Sequence, residues 1–294
     1  MLDENERCPC NSGKKFKDCH GKNPFVPKEK FTIEVDPKKQ PTVPPTIVTI
    51  DGKNVDVSDK LRIVLKGSMD KEKDQNIANL VKSFTDFIPT KRNILKLRFE
   101  RLEHKLNGIK YHMENFKQYE NFMHENYLSN EYVAKMSGMF LDIKEPKLMY
   151  EAEAFLFQVK SCLDIFAQII GMIYNLPIVN TYENNGETLI NSLKNNSHES
   201  LRDHASMLVK IIEDHKKWVK DLVEMRNDIT HFSELVGFTC FIESAWEGGN
   251  TTDVYYPSML DGSRATTYMN NVWNELLKLI ENSRQYLIDT ISKS

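Results

Sequence analysis

Apolar residues between 95 and 127 recur at alternating spacings of four and three. Leu95, Leu102, Ile109, Phe116 and Met123 stand seven apart, and Phe99, Leu106, Met113 and Tyr127 fill the complementary seam. An α-helix with about 3.6 residues per turn is the conformation that gathers such a set onto one narrow stripe. The pattern predicts one long helix over residues 90–128, with Pro89 in its first turn, where a missing N–H costs little. The same seam would suit a two-chain coiled coil. Glu120 interrupts it, however, and a carboxylate there favours packing inside one chain.

The remaining periodicity is also largely helical. Residues 147–174 carry a wide apolar face of Phe155, Val159, Cys162, Leu163, Phe166, Ile169, Ile170 and Ile173. GETLINSLKNN leads into a helix from 198 to about 230, with Leu201, Leu208, Ile211, Ile212, Trp218, Leu222 and Met225 as core positions. A last helix over 266–291 presents Val272, Leu276, Leu279, Ile280 and Leu287. Two places read as hairpins. TIVTI and KNVDV flank Asp51-Gly52, a strong turn signal, and VGFTCFIES and TDVYY flank a Gly-Gly-Asn turn region. Prolines among lysines between 22 and 45 read as an extended linker. The expected class is mainly α, a helical bundle with a long heptad-patterned helix, small β-hairpins and an N-terminal zinc knuckle. Its expected parts are a knuckle over 1–23, a Pro/Lys-rich linker with a hairpin over 24–75, a long helical segment over 76–146 and a helical domain over 147–294.

Hydrophobic residues are 40% and charged residues 28% of the 294, as in a soluble globular protein. No apolar run reads as long enough to cross a bilayer, and MLDENER is no signal peptide. A cytoplasmic location without a membrane partner is expected. The net charge of −3 excludes a global field for nucleic acid, so any contact must come from a local patch. Lys14, Lys15, Lys17, Lys22, Lys28, Lys30, Lys38 and Lys39 make one such stretch, readable equally as a solvated arm or a phosphate-contacting surface.

Three of the five cysteines lie within CPCNSGKKFKDCHG at 8–21, while Cys162 and Cys240 stand alone as core thiols. That distribution is not a secreted disulfide framework. Cys8, Cys10, Cys19 and His20 offer thiolates and an imidazole, the donor types of tetrahedral zinc, in a segment too small to bury a core. Metal binding would supply most of its folding energy. The C-x-C and C-H pairs, SGKK and Phe16 resemble the SEC-C motif, found at the tail of the bacterial protein-export ATPase and appended to many unrelated proteins. Asn11 departs from that pattern, where the family usually has glycine. Asparagine tolerates a left-handed backbone better than most residues. The resemblance implies that Cys8, Cys10, Cys19 and His20 ligate a structural Zn2+ in a closed site with no open position for catalysis.

Arg226-Asn227-Asp228-Ile229-Thr230-His231 ends the predicted 198–230 helix. In that helical context it resembles the R-x4-6-H motif of the HEPN superfamily, helical bundles in which the motif often begins Arg-Asn. The resemblance covers residues 147–291. It implies a metal-independent endoribonuclease with Arg226, Asn227 and His231 as catalytic residues, and Glu153, Asp164 or neither as an acidic partner. It also implies a homodimer whose two copies build a shared cleft. RNA carries its own nucleophile, the 2′-hydroxyl beside the scissile phosphate. Cleavage needs a group titrating near neutrality, which suits His231, and a fixed planar cation against developing phosphoryl charge, which suits Arg226. Arg226 and His231 are separated by about 140° on an ideal helix, so a second copy of the chain would relieve their divergence. Asn227 lies one turn before His231 and would orient the imidazole or contact phosphate.

By the same resemblance the biological role is that of a toxin or antiphage effector, with an antitoxin, ribosome or protein partner reached through the knuckle. The competing reading is a non-catalytic zinc-knuckle adaptor that binds RNA or protein and dimerises through its bundle, or recruits a partner through the long helix. SGKK lacks the spacing of a phosphate-binding loop, and no G-x-S-x-G, H-E-x-x-H or dinucleotide fingerprint is present. His198, His204 and His215 read as solvated or capping residues, and Trp218, Trp246 and Trp273 as packing anchors.

Overall fold

The computed structural model describes residues 30–34, 49–50, 53–54, 74–90, 92–124, 140–143, 146–177, 181–231, 238–242, 251–259 and 261–293. Among them are six α-helices: α1 (Gln75–Thr85), α2 (Asn93–Met123), α3 (Pro146–Ile173), α4 (Glu187–Asn196), α5 (Arg202–His231) and α6 (Ala265–Lys293). Short strands are β1 (Lys30–Glu34), β2 (Thr49–Ile50), β3 (Lys53–Asn54), β4 (Phe140–Ile143), β5 (Phe238–Ile242) and β6 (Thr251–Tyr255). The protein is mainly helical. Its two compact units are not consecutive parts of the chain. One gathers Met1–Glu72, Glu114–Tyr150 and Glu234–Thr266, the other Lys73–Met113, Glu151–Ser233 and Thr267–Ser294.

The first unit holds a four-stranded antiparallel sheet in the order β1-β6-β5-β4. Lys30 pairs with Tyr255 and Phe140 with Phe241. Thus KFTIE, which lies in the stretch expected to be linker, is an edge strand, and FLDI interrupts the segment expected to be helical. β2 and β3 pair across residues 51–52, with Ile50 opposite Lys53. Glu120 is fully buried, and Arg264 donates to it from Nε at 3.2 Å and Nη2 at 2.5 Å. Thr266 Oγ1 adds a third bond at 2.9 Å. The guanidinium of Arg264 lies over the Tyr256 ring, 3.6 Å from its centroid. The carboxylate in the apolar seam is therefore answered by a cation of the same chain.

In the second unit the seam residues Leu95, Phe99, Leu102, Leu106 and Ile109 are buried, and Phe84 of α1 stacks on Phe99 with centroids 4.9 Å apart. α2 starts at Asn93 rather than in the turn of Pro89. Ile88, preceding a proline, is biased out of helical geometry. The Pro89 carbonyl accepts from the Arg92 N–H at 2.9 Å, in the turn joining α1 to α2. The Asp74 carboxylate caps α1 through the Asn76 N–H at 2.8 Å. The Lys110 ammonium, also paired with it, holds the carboxyl below its usual range.

α3 is long and apolar enough, by length and composition, to cross a bilayer, with a mean hydropathy of 1.4. The sequence expectation of no such run is corrected here. More than half of that apolar stretch is buried inside the protein, and all eight apolar-face residues expected from the sequence are fully buried. It is a core helix. Burial pushes the thiol of Cys162 up, which keeps it protonated and inert. α4 packs on α5, helped by a Lys216–Glu187 ion pair. In α6 all five expected core residues are buried.

His215 corrects another expectation, being buried rather than solvated. Its Nδ1 accepts from Trp218 Nε1 at 2.7 Å, which requires an unprotonated nitrogen. Burial lowers its pKa below the ordinary 6.5, outweighing the opposite pull of the Glu275 carboxylate at 3.5 Å. The folded state thus favours the neutral ring. This contribution to stability is complete above the ordinary histidine value and is lost as pH falls below it. Urea midpoints should therefore decrease from about pH 8 to about pH 5 more steeply in the wild type than in His215→Gln. Equal slopes would remove His215 from the acid response.

Candidate functional site

Off the buried face of α3, Phe157, Lys160 and Asp164 follow at helical spacing. The Asp164 carboxylate pairs with Lys160 and accepts the Tyr182 N–H at 2.7 Å, fixing the segment after α3 against the helix. That segment turns back through the 3-10 helix Glu183–Gly186, where Asn185 and Gly186 have φ of 55° and 88°. A β-carbon on Gly186 would come within 2.8 Å of the Tyr182 ring and 3.0 Å of Ile212, so glycine is required twice over. Tyr182 is buried, and burial pushes its phenol up.

α5 supplies the opposite wall. Lys220, Val223 and Glu224 recur on one face, with Arg226 beside them. Together with Lys160, Thr181, Tyr182 and Asn185 they line a cleft of about 450 Å³ that lies wholly in the second unit. Three cations meet two carboxylates here. Lys160 is bound to Asp164, while Lys220 and Glu224 are exposed and 3.8 Å apart, a pairing of little energetic weight. Such a cleft is suited to anions.

Of the residues singled out in the sequence, Arg226 lines this cleft. Its Nη2 donates to Asn227 Oδ1 at 2.6 Å, and its guanidinium carbon lies 5.7 Å from the Phe157 ring centroid. Asn227 thus holds Arg226. His231 is the last residue of α5, on the same uninterrupted helix as Arg226, so the divergence of about 140° holds within one chain. Asp164 is joined to the cleft through Lys160, whereas Glu153 is half-buried and is not among the lining residues. Lys160, Lys220, Tyr182 and Phe157 were not picked out by sequence. Only Phe157 carried a signal, an aromatic residue set off the apolar face of its helix.

Cys8, Cys10, Cys19 and His20 lie outside the described residues, as do Tyr127 and Trp246. Among the described residues no three His, Cys, Asp or Glu side chains group so as to hold a metal. No match to the chain is found among the curated proteins or the solved structures. Residues 5–22 match the SEC-C motif.

Proposed function

We propose that the protein is a metal-independent endoribonuclease of HEPN type, of the kind used in toxin and antiphage systems, with a zinc-bearing SEC-C knuckle as its recognition arm. The observation that carries the reading is the placement of Arg226 in a cleft with Lys160 and Lys220. In the reaction the 2′-oxygen bonds to phosphorus and the P–O5′ bond breaks, leaving a 2′,3′-cyclic phosphate and a 5′-hydroxyl. One imidazole takes the 2′ proton and another returns a proton to the leaving oxygen. Two copies of His231 in a homodimer supply both, and Arg226, steadied by Asn227, faces the charge on the phosphoryl oxygens.

The knuckle donors, three thiolates and an imidazole, are those of a closed structural zinc site, so Cys8, Cys10, Cys19 and His20 would hold the ion without opening a position for substrate. The test is incubation of the purified full chain with diverse RNAs in a chelator, followed by analysis of the ends. Cyclic phosphate ends are expected, and uncut RNA would sink the reading. Joint Cys8→Ser and Cys10→Ser should release zinc and leave cleavage intact in a folded bundle. Loss of cleavage there would show that the two parts are not separable.

The second reading, a non-catalytic RNA- or protein-binding adaptor, draws on the same basic cleft. Salt-dependent RNA binding without product would favour it.

A further inference from the structure

Phe155 and Phe166 of α3 have no exposed surface, yet Phe157 on the same helix is 45% exposed. Of its four neighbours one turn away, Glu153, Lys160 and Ser161 are polar or charged and the fourth is the small Ala154, so little apolar surface adjoins the ring along the helix. An exposed phenylalanine contributes little to folding, and a single ring in polar surroundings offers a protein partner little to bury. What it does offer is a flat face beside a cation. Arg226, 5.7 Å from the ring centroid, belongs at once to the ring and to the cleft.

We propose that Phe157 is a stacking platform for an unpaired RNA base, with that nucleotide's phosphate held by Arg226 and the neighbouring backbone by Lys160 and Lys220. The inference rests on the reading of the cleft as an RNA site and adds the substrate class, single-stranded RNA. The chemistry selects this occupant. Every base has a π-face, so stacking on an aromatic ring is tolerant of sequence, and a guanidinium plane extends the stack. The short sugar link sets base and phosphate side by side, as Phe157 and Arg226 are set. Lys220 can exchange its loose contact with Glu224 for phosphate at little cost. Paired bases in a duplex present no free face, so double-stranded RNA is excluded from the platform.

The experiment uses the full chain and a short 2′-O-methyl oligoribonucleotide bearing 2-aminopurine, which lacks the attacking hydroxyl and stays uncut. Binding should quench the fluorophore by stacking. Phe157→Ala and Phe157→Leu should each weaken binding on the order of tenfold or more and abolish the quench, while Phe157→Trp retains both. The salt dependence should be unchanged by the Phe157 variants and shallower in Lys160→Gln with Lys220→Gln. Full binding by Phe157→Leu would overturn the platform, because an apolar contact would then suffice. So would a change of oligomeric state in Phe157→Ala, which would make the ring an interface between copies. Cleavage by the wild type with no effect at Phe157 removes the platform and leaves the ribonuclease standing. Phe157-dependent quenching without cleavage of natural RNA supports the platform and removes the ribonuclease.

Discussion

His231→Ala is expected to lower RNA cleavage by roughly 10²- to 10⁴-fold, the span that one general acid–base group contributes. The chemistry makes this the most damaging single change. The 2′-hydroxyl is a poor nucleophile until its proton leaves, and the 5′-oxygen is a poor leaving group until one arrives. In the proposed reaction both transfers fall to imidazole, whose unperturbed pKa lies nearest neutrality. On the proposed ribonuclease reading, Arg226→Lys should cost roughly 10²- to 10³-fold in the same assay, because a point charge cannot replace a planar fork that can face two oxygens and is held by Asn227. His231 is the last residue of α5, and unchanged helicity with unchanged zinc content should accompany the loss. A histidine variant that cuts at the wild-type rate would sink the assignment.

Arg264→Met is expected to destabilise the first unit by about 3–5 kcal/mol, the cost of leaving a buried charge without its partner. Glu120 has no exposed surface, and after the substitution only Thr266 remains of the three bonds described to its carboxylate. The reverse change should be milder. Glu120→Met leaves Arg264, whose side chain keeps 23% exposure and its place over Tyr256, for about 1–3 kcal/mol. The double substitution should recover most of the loss, since two apolar side chains replace two mutually dependent charges. Urea unfolding of the four proteins measures all three statements. Equal losses for the two single variants would show that Glu120 reaches water after all.

Where a wide apolar face fixes the helix, sequence and structure agree within a residue or two, as for α3 and α6. A narrow seam fixes less, and α2 begins after the proline expected within it. β1 and β4 were illegible because four or five residues carry too little pattern, and pairing with β6 and β5 decides their state. The cleft was half legible. Arg226 stood out through its motif, but Lys160 and Lys220 look like any solvated lysine until α3 and α5 face each other. His215 misled for the same reason: Trp218 and the neighbouring helix decide its burial, and residue type does not.

The sheet register carries a consequence for how the protein is made. β1, at residue 30, has no partner until β6 has been synthesised, and Glu120 waits for a cation 144 residues later. The first unit therefore folds only when most of the chain has left the ribosome, and contacts this distant in sequence form slowly. The unit that holds the cleft closes later still, because Thr267–Ser294 belongs to it, so a chain stalled before Arg264 completes neither unit and would carry no finished cleft.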